Sequence, residues 1–144
     1  MRILKTVNDT VHNLISDDLS EIGGILGSHN NELIDEVILD AQDPNALKRC
    51  SYTPNVAFLN QQIKHWQDCK IHFKGMFHTH HFGIKTLSCG DQKYITEIMT
   101  RMPDCIQYLY FPIFVLPDRQ WIGYKAVRTN EGILIQEDEI FIEQ

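Results

Sequence analysis

Two histidines and one aspartate stand at a spacing that could bind a metal ion. His78 and His80 are two positions apart in a segment whose pattern predicts a β-strand, so both side chains point to the same face. Seven residues then lead to Ser88-Cys-Gly-Asp91, where Asp91 could supply a third ligand. Two imidazoles and one carboxylate leave the fourth position of a tetrahedral zinc site open for water, as in catalytic sites. The pKa of that water falls to about 7, which provides a nucleophile at neutral pH.

The same residues also have purely structural interpretations. The two histidines could be partly buried and hydrogen-bonded to the backbone. Ser88-x-x-Asp91 is also a capping box, which would explain both residues as the start of a helix. The capping box and the metal site are compatible, since Ser88 can begin the helix and still face a cleft. The combined spacing favours the metal site, because chance would produce it in roughly one such sequence per thousand.

The hydrophobic pattern predicts the elements that must position these residues. It predicts one α+β domain spanning residues 1–144, with a mixed β-sheet flanked by helices. The expected helices are 3–15, 54–67 (opened by Pro54) and 91–102. The expected strands are 22–27, 32–39, 71–80, 107–116, 121–128 and 133–142. The first two strands should form a hairpin, and residues 40–53 and 81–87 should be loops. On strand 71–80 we expect Ile71, Phe73 and Phe77 on one face, and Met76, His78 and His80 on the other.

Composition excludes some classes of function. The chain has 144 residues, 13 basic and 19 acidic, and a formal net charge of −6. Nucleic-acid binding requires clustered Lys and Arg, and Lys48-Arg49 is the only adjacent basic pair, so we expect no nucleic-acid partner. No signal peptide and no membrane-spanning stretch are evident, so we expect a cytoplasmic protein without a membrane partner. The four cysteines form no C-x-x-C pair, and we expect them to be reduced and mostly buried.

A family resemblance rests on three segments. The run Gly75-Met-Phe-His-Thr-His80, followed by Leu87-Ser-Cys-Gly-Asp91, resembles the JAMM motif H-[ST]-H-x7-S-x-x-D of MPN (JAB1/MPN/Mov34) metalloproteases. Upstream, Glu21-Ile-Gly-Gly-Ile-Leu-Gly27 is similar to the glutamate element of that motif. The resemblance covers at least residues 21–102. It implies an MPN/JAB-like, cytidine-deaminase-like sandwich in the compact form typical of prokaryotes.

The resemblance also implies a role for each residue of the motif. His78, His80 and Asp91 would hold one Zn²⁺ ion per chain. Glu21 would take a proton from the zinc-activated water and pass it to the leaving amine, and Ser88 would stabilise the oxyanion. The implied activity is zinc-dependent hydrolysis of a peptide or isopeptide bond, at the C-terminal tail of a ubiquitin-like protein. The scissile bond could be an isopeptide bond, a linear peptide bond or a precursor tail.

Two features leave alternatives open. The family commonly has a proline after the second histidine, and this chain has His81, which strand alternation directs away from the metal. Cys89 could be a thiol of lowered pKa near a cation or a small residue in the first turn of a helix.

Two functions other than hydrolysis are compatible with this sequence. The chain could be a catalytically silent MPN scaffold that binds protein partners, or a non-haem iron enzyme with a facial triad. Glu21 favours a hydrolase, which needs a base.

Overall fold

Short apolar segments form three helices and eleven strands within residues 1–17, 20–41 and 52–144, the part of the chain that the computed structural model describes. The helices are α1 (Lys5–Leu14), α2 (Val56–Asp68) and α3 (Cys89–Arg101). The strands up to α3 are β1 (Arg2–Leu4), β2 (Gly23–Ser28), β3 (Leu33–Ile34), β4 (Glu36–Leu39) and β5 (His72–His80). After α3 come β6 (Tyr108–Tyr110), β7 (Ile113–Val115), β8 (Gln120–Ile122), β9 (Tyr124–Thr129), β10 (Gly132–Glu137) and β11 (Phe141–Glu143).

A mixed sheet forms the centre of the molecule. Its order is β10-β9-β6-β5-β2-β4, and β7 also pairs with β5 and carries β8 on its other side. β5 runs antiparallel to β2 and parallel to β6 and β7. A second, small sheet has the order β11-β1-β3. The predicted α+β class with a mixed sheet and flanking helices is confirmed.

Helices cover both faces of the central sheet. On one face, α1 packs Val7 and Val11 against Leu26 and Phe77. On the other face, α2 and α3 contribute the buried side chains of two clusters that share Phe73 and Met76, and these are Leu59, Trp66, Ile95 and Met99. Burial of these apolar side chains is the main favourable contribution to the free energy of folding. It fixes β5 in the middle of the molecule, with its C-terminal end at the site described below.

A bulge in β5 changes which residues share a face. Leu26 pairs with Gly75 and the next residue of β2 pairs with Phe73, so Lys74 is an extra residue in β5. Gly75 has a φ of +140°, which favours glycine. Because the bulge resets the alternation, Phe73 lies with Met76 against α2 and α3. The expectation that Phe73 shares a face with Phe77 is therefore wrong, whereas Met76 does lie opposite Phe77.

Several predicted boundaries are wrong, each for a local physical reason. The three long C-terminal strands are each divided in two, at 111–112, at Gly123 and at 138–140. The proline at 112 has no backbone N–H to donate to a neighbouring strand. At Gly123 a Cβ would lie 1.9 Å from the carbonyl oxygen of Asp138, so the chain passes too closely there for any other residue. Helix α2 begins at Val56 instead of Pro54, because the Asn55 side chain accepts the amide of Phe58 and caps it. β1 replaces the predicted first turn of α1.

Other expectations have mixed outcomes. The β2–β4 antiparallel pair confirms the hairpin, with β3 as an additional short strand. Of the predicted loop 40–53, residues 42–51 lie outside the described part of the chain. Trp66 is buried and Trp121 packs against the core. Cys69, Cys89 and Cys105 are free but exposed, so their predicted burial is wrong, and Cys50 lies outside the described residues. No helix in the described ranges is long and apolar enough to cross a membrane.

Candidate metal centre

The end of β5 and the start of α3 bring two histidines and one aspartate together. His78 and His80 point from the same face of β5, with 2.9 Å between their Nε2 atoms. The loop after His80 returns the chain so that Asp91, in the first turn of α3, faces both rings. Asp91 Oδ1 lies 3.3 Å from His78 Nε2, and Asp91 Oδ2 lies 3.3 Å from His80 Nε2. All three ligand atoms lie within 4.8 Å of one another, so this group could hold a metal ion.

The distances in this group fit a small tetrahedral cation. Zinc bonds of about 2.0–2.1 Å at tetrahedral angles place neighbouring ligand atoms about 3.3 Å apart. The two aspartate–histidine distances of 3.3 Å have that value, and the histidine pair at 2.9 Å needs a small widening. The side chains are 14%, 8% and 22% exposed, so the group is shielded but still open on one side. Three protein ligands with an open side are typical of catalytic rather than structural zinc sites.

Hydrogen bonds around the group hold its members in place. His80 Nδ1 lies 3.2 Å from the carbonyl oxygen of Ile84 and can donate to it, which would leave the lone pair of Nε2 for a bound metal. The amide of Ser88 donates to Asp91 Oδ2 at 2.8 Å, and the amide of Asp91 donates to Ser88 Oγ at 3.0 Å. These two bonds confirm the predicted capping box. Asp91 therefore caps α3 and faces the histidines with the same carboxylate.

The charges of the group depend on one another. Burial raises the pKa of Asp91, but hydrogen bonds from His78 and His80 outweigh burial and hold that pKa well below its usual range. Burial lowers the pKa of His80, yet the hydrogen bond and charge of Asp91, together with the charge of Glu21, raise it above its ordinary value. Both shifts favour an ionised Asp91 beside a positive charge, and a metal cation at this position would supply such a charge.

Glu21 lies beside this group and is not part of it. Two hydrogen bonds fix the following residue, Ile22, to β5: the Ile22 amide donates to Thr79 Oγ1 at 2.9 Å, and the Thr79 amide donates to the Ile22 carbonyl at 2.8 Å. The Tyr52 amide donates to Glu21 Oε2 at 2.8 Å. The charge of Glu21 contributes to the raised pKa of His80, so its carboxylate acts on that ring through space. Of the five predicted site residues, three form the ligand group, Ser88 touches it and Glu21 flanks it.

Solved structures share this architecture. A protein from Desulfitobacterium hafniense, solved in solution, aligns over 100% of this chain and 94% of its own, with 16% identity and a TM-score of 0.66. The crystal structure of a JAB1/MPN domain protein from Archaeoglobus fulgidus aligns over 100% of both chains, with 16% identity and a TM-score of 0.52. The fold is MPN-like. No protein-family model and no curated protein matches the chain.

Within the MPN-like fold, sequence reasoning missed Tyr52 and Asp40. The Tyr52 ring stacks parallel to His78, with 6.2 Å between ring centres. Its hydroxyl donates to Asp40 Oδ2 at 2.6 Å, and Asp40 Oδ2 also accepts the Asn55 amide at 2.8 Å. Burial and the hydrogen bond to Asp40 raise the pKa of Tyr52 far above its ordinary value. No local pattern marks these residues, because their contacts join positions far apart in the sequence.

A cavity of about 400 Å³ opens beside the ligand group. His78, Ser88 and Asp91 form part of its wall. The remaining wall comes from the segment before α2, from β5, from α3 and from the residue after β6, and comprises Tyr52, Thr53, Pro54, Met76, Phe77, Gly90, Tyr94, Ile95 and Phe111. A largely apolar cavity next to a few polar groups is the usual form of a binding site for a small ligand or side chain.

His81 and Cys89 occupy the neighbouring positions. His81 is only 8% exposed and is not a member of the three-residue ligand group. Cys89 is the first residue of α3 and its side chain is exposed, which agrees with the interpretation as a small residue in a first helical turn.

Proposed function

We propose that this chain is a zinc-dependent peptidase or isopeptidase that acts at the C-terminal tail of a ubiquitin-like protein. The observation that carries the proposal is the open group of His78, His80 and Asp91, flanked by a separate carboxylate at Glu21. Bound zinc would supply a water of lowered pKa and polarise the scissile carbonyl. Other residues of the site would then transfer the protons, contact the oxyanion and bind the substrate.

Glu21 is suited to moving a proton. Its Oε2 accepts the Tyr52 amide at 2.8 Å, and the next residue, Ile22, is bonded to Thr79 of β5. Because the Tyr52 ring stacks on His78, these bonds hold the carboxylate on the side of the histidines. A carboxylate within hydrogen-bond reach of an acidified water is a competent general base. After the attack the same group can return the proton to the leaving amine.

Ser88 is suited to contacting the oxyanion. Its Oγ accepts the Asp91 amide at 3.0 Å, so the hydroxyl hydrogen is free to donate outward, toward the side where the cavity opens. One such donor to a developing oxyanion is worth about 10²–10³ in kcat.

An extended tail fits the surroundings of this site. β4 is the last strand at one edge of the central sheet, and it leads directly to Asp40, which bonds the Tyr52 side chain that stacks on His78. A tail that added to such an edge through main-chain hydrogen bonds would bring a carbonyl to the ligand group. Glycines at the end of the tail would allow its backbone to approach closely. These features, with the resemblance to the JAMM motif, favour a ubiquitin-like substrate ending in Gly-Gly.

Separate variants test metal binding and proton transfer. We expect about one zinc per chain in the purified wild type, and loss of most of it in His78→Ala and in Asp91→Ala, by elemental analysis. Glu21→Gln keeps an acceptor for the Tyr52 amide, so it should retain zinc while losing hydrolysis of a β-grasp protein extended beyond a C-terminal Gly-Gly. A wild type that takes up no zinc would refute the proposal. Zinc binding without cleavage of the extended protein would favour the non-catalytic scaffold, and full activity of Glu21→Gln would reject Glu21 as the base.

A further inference from the structure

The cavity beside the ligand group has a shape and chemistry that the proposed reaction does not yet use. It shares His78, Ser88 and Asp91 with the candidate centre, so anything inside it lies next to the scissile bond. We propose that the cavity binds a bulky apolar side chain of the substrate, carried by the residue that leaves with the amine. This inference rests on the proposed function and specifies its substrate as a linear peptide with an apolar residue after the cleaved bond.

The polar atoms of Tyr52 and Asp91 in the cavity wall are engaged elsewhere, and the proposed reaction uses the free hydroxyl hydrogen of Ser88 for the oxyanion. The Tyr52 hydroxyl is bonded to Asp40, so this residue presents its ring. Both oxygens of Asp91 face the histidines, and one of them also accepts the Ser88 amide. A charged or amide side chain in the cavity would therefore lose water without gaining matched partners, which costs free energy. An apolar side chain gains free energy from the same burial.

Tyr52 connects the cavity to the side of the leaving amine. Its amide holds Glu21, the group proposed to return the proton to the amine, while its ring forms part of the cavity wall. The residue that carries the departing amine is thus next to the cavity mouth. On the other side of the bond, a Gly-Gly tail has no side chain to fill about 400 Å³.

The size of the cavity distinguishes a linear bond from an isopeptide bond. An isopeptide bond leaves with a lysine Nζ, whose unbranched stem is thin next to the nitrogen. A linear bond leaves with an α-amine, whose side chain branches off one atom away and can enter a neighbouring cavity directly. A cavity of about 400 Å³, walled by Met76, Ile95 and Phe111, therefore favours a linear bond whose leaving residue carries an aromatic or a large aliphatic side chain.

A titration without catalysis tests binding. The chain has four methionines, of which Met76 lines the cavity and Met102 lies in a different groove. With ¹³C-methyl methionine in the whole protein, N-acetyl-phenylalanine amide should shift the Met76 signal saturably and leave that of Met102 in place. N-acetyl-alanine amide should give a much weaker response. Equal responses to both compounds, or no response at Met76, would overturn the proposal.

A kinetic series tests the position of the side chain. Internally quenched peptides with Gly-Gly before the bond should be cleaved about 10–100-fold faster, in kcat/KM, with Phe or Leu after the bond than with Ala or Lys, the usual range for an apolar pocket. An isopeptide-linked lysine should resemble Ala. Tyr94 is a half-buried wall residue, and Tyr94→Ala should remove most of the preference for Phe while leaving zinc content unchanged.

The matched control is Tyr108→Ala, which truncates another half-buried tyrosine, away from this cavity, and should keep the preference. Zinc-dependent cleavage at equal rates for every residue after the bond, or a preference that follows the residue before it, would overturn the proposal and leave the proposed activity standing. Failure to cleave any substrate would instead refute the proposed activity, and the methionine titration would still decide whether the cavity binds an apolar side chain.

Discussion

Gly75 sets the direction of β5, the strand that carries two of the candidate metal ligands, although it lies three residues before His78. It occupies the bulge of β5 at a φ of +140°, opposite Tyr110 of the neighbouring strand. A Cβ added there would lie 1.8 Å from the Tyr110 carbonyl oxygen, whereas real Cβ atoms essentially never come within 3.0 Å of another heavy atom. The substitution Gly75→Ala must therefore separate β5 from β6 by at least 1.2 Å locally or flatten the bulge.

The expected cost has two parts. A non-glycine residue held at such a φ costs about 1–3 kcal/mol. Forcing extra volume into a packed backbone contact typically costs another 1–3 kcal/mol. We therefore expect Gly75→Ala to lower the free energy of unfolding by about 4 kcal/mol, a large fraction of the stability of a small protein.

Gly132→Ala separates the two parts. Gly132 has a similar φ of +123°, but a Cβ there would meet nothing within 4 Å. The effect of alanine on the unfolded chain is shared by both variants. Gly132→Ala should therefore lose only the backbone part, about 2 kcal/mol. The difference between the variants measures the contact with Tyr110.

Urea unfolding, followed by the fluorescence of the two tryptophans, measures both variants. With a slope of about 1–3 kcal/mol per molar urea, a difference of about 2 kcal/mol separates the midpoints by about 1 M. The zinc content of folded Gly75→Ala should also fall, because a flattened bulge would turn the histidines relative to Asp91. Equal midpoints for Gly75→Ala and Gly132→Ala would refute the reasoning, since the close contact would then cost nothing.

Three further expectations follow from contacts around the centre. Thr79 is buried, and Thr79→Val leaves the half-buried Ile22 amide without its acceptor, so the free energy of unfolding should fall by about 1–3 kcal/mol. Thr79→Ser should retain most of that stability, and equal losses in the two variants would show that the hydroxyl is unimportant. Ser88→Ala removes a helix cap and should lower the free energy of unfolding by about 1 kcal/mol. It should also lower kcat by about 10²–10³ while zinc is retained, and an unchanged kcat would exclude the oxyanion role. Hydrolysis should stop when a zinc chelator is added, return when zinc is restored, and survive a thiol-blocking reagent. Activity that resists the chelator, together with a covalent adduct at the exposed Cys89, would instead identify a thiol enzyme.

The sequence alone determined the features that depend on neighbouring residues. Two histidines at i and i+2 share a face wherever they stand on a strand, and Ser88 and Asp91 at i and i+3 form a capping box at the start of a helix. The α+β class followed in the same way from the periods of the apolar residues. These relations need only backbone geometry, so spacing was sufficient to predict them.

Only the tertiary structure decided the features that depend on distant contacts. The bulge at Gly75 reversed the expected face of Phe73 because β6 passes within contact of its backbone. The contacts of Tyr52 with Glu21, His78 and Asp40, and the cavity behind them, join segments that have no shared local pattern. The segment before α2 meets β5 and α3 around that cavity, and such packing is the sum of many contacts between residues far apart in the chain. For that reason spacing could predict the group that could hold a metal ion, but not the wall of the cavity beside it.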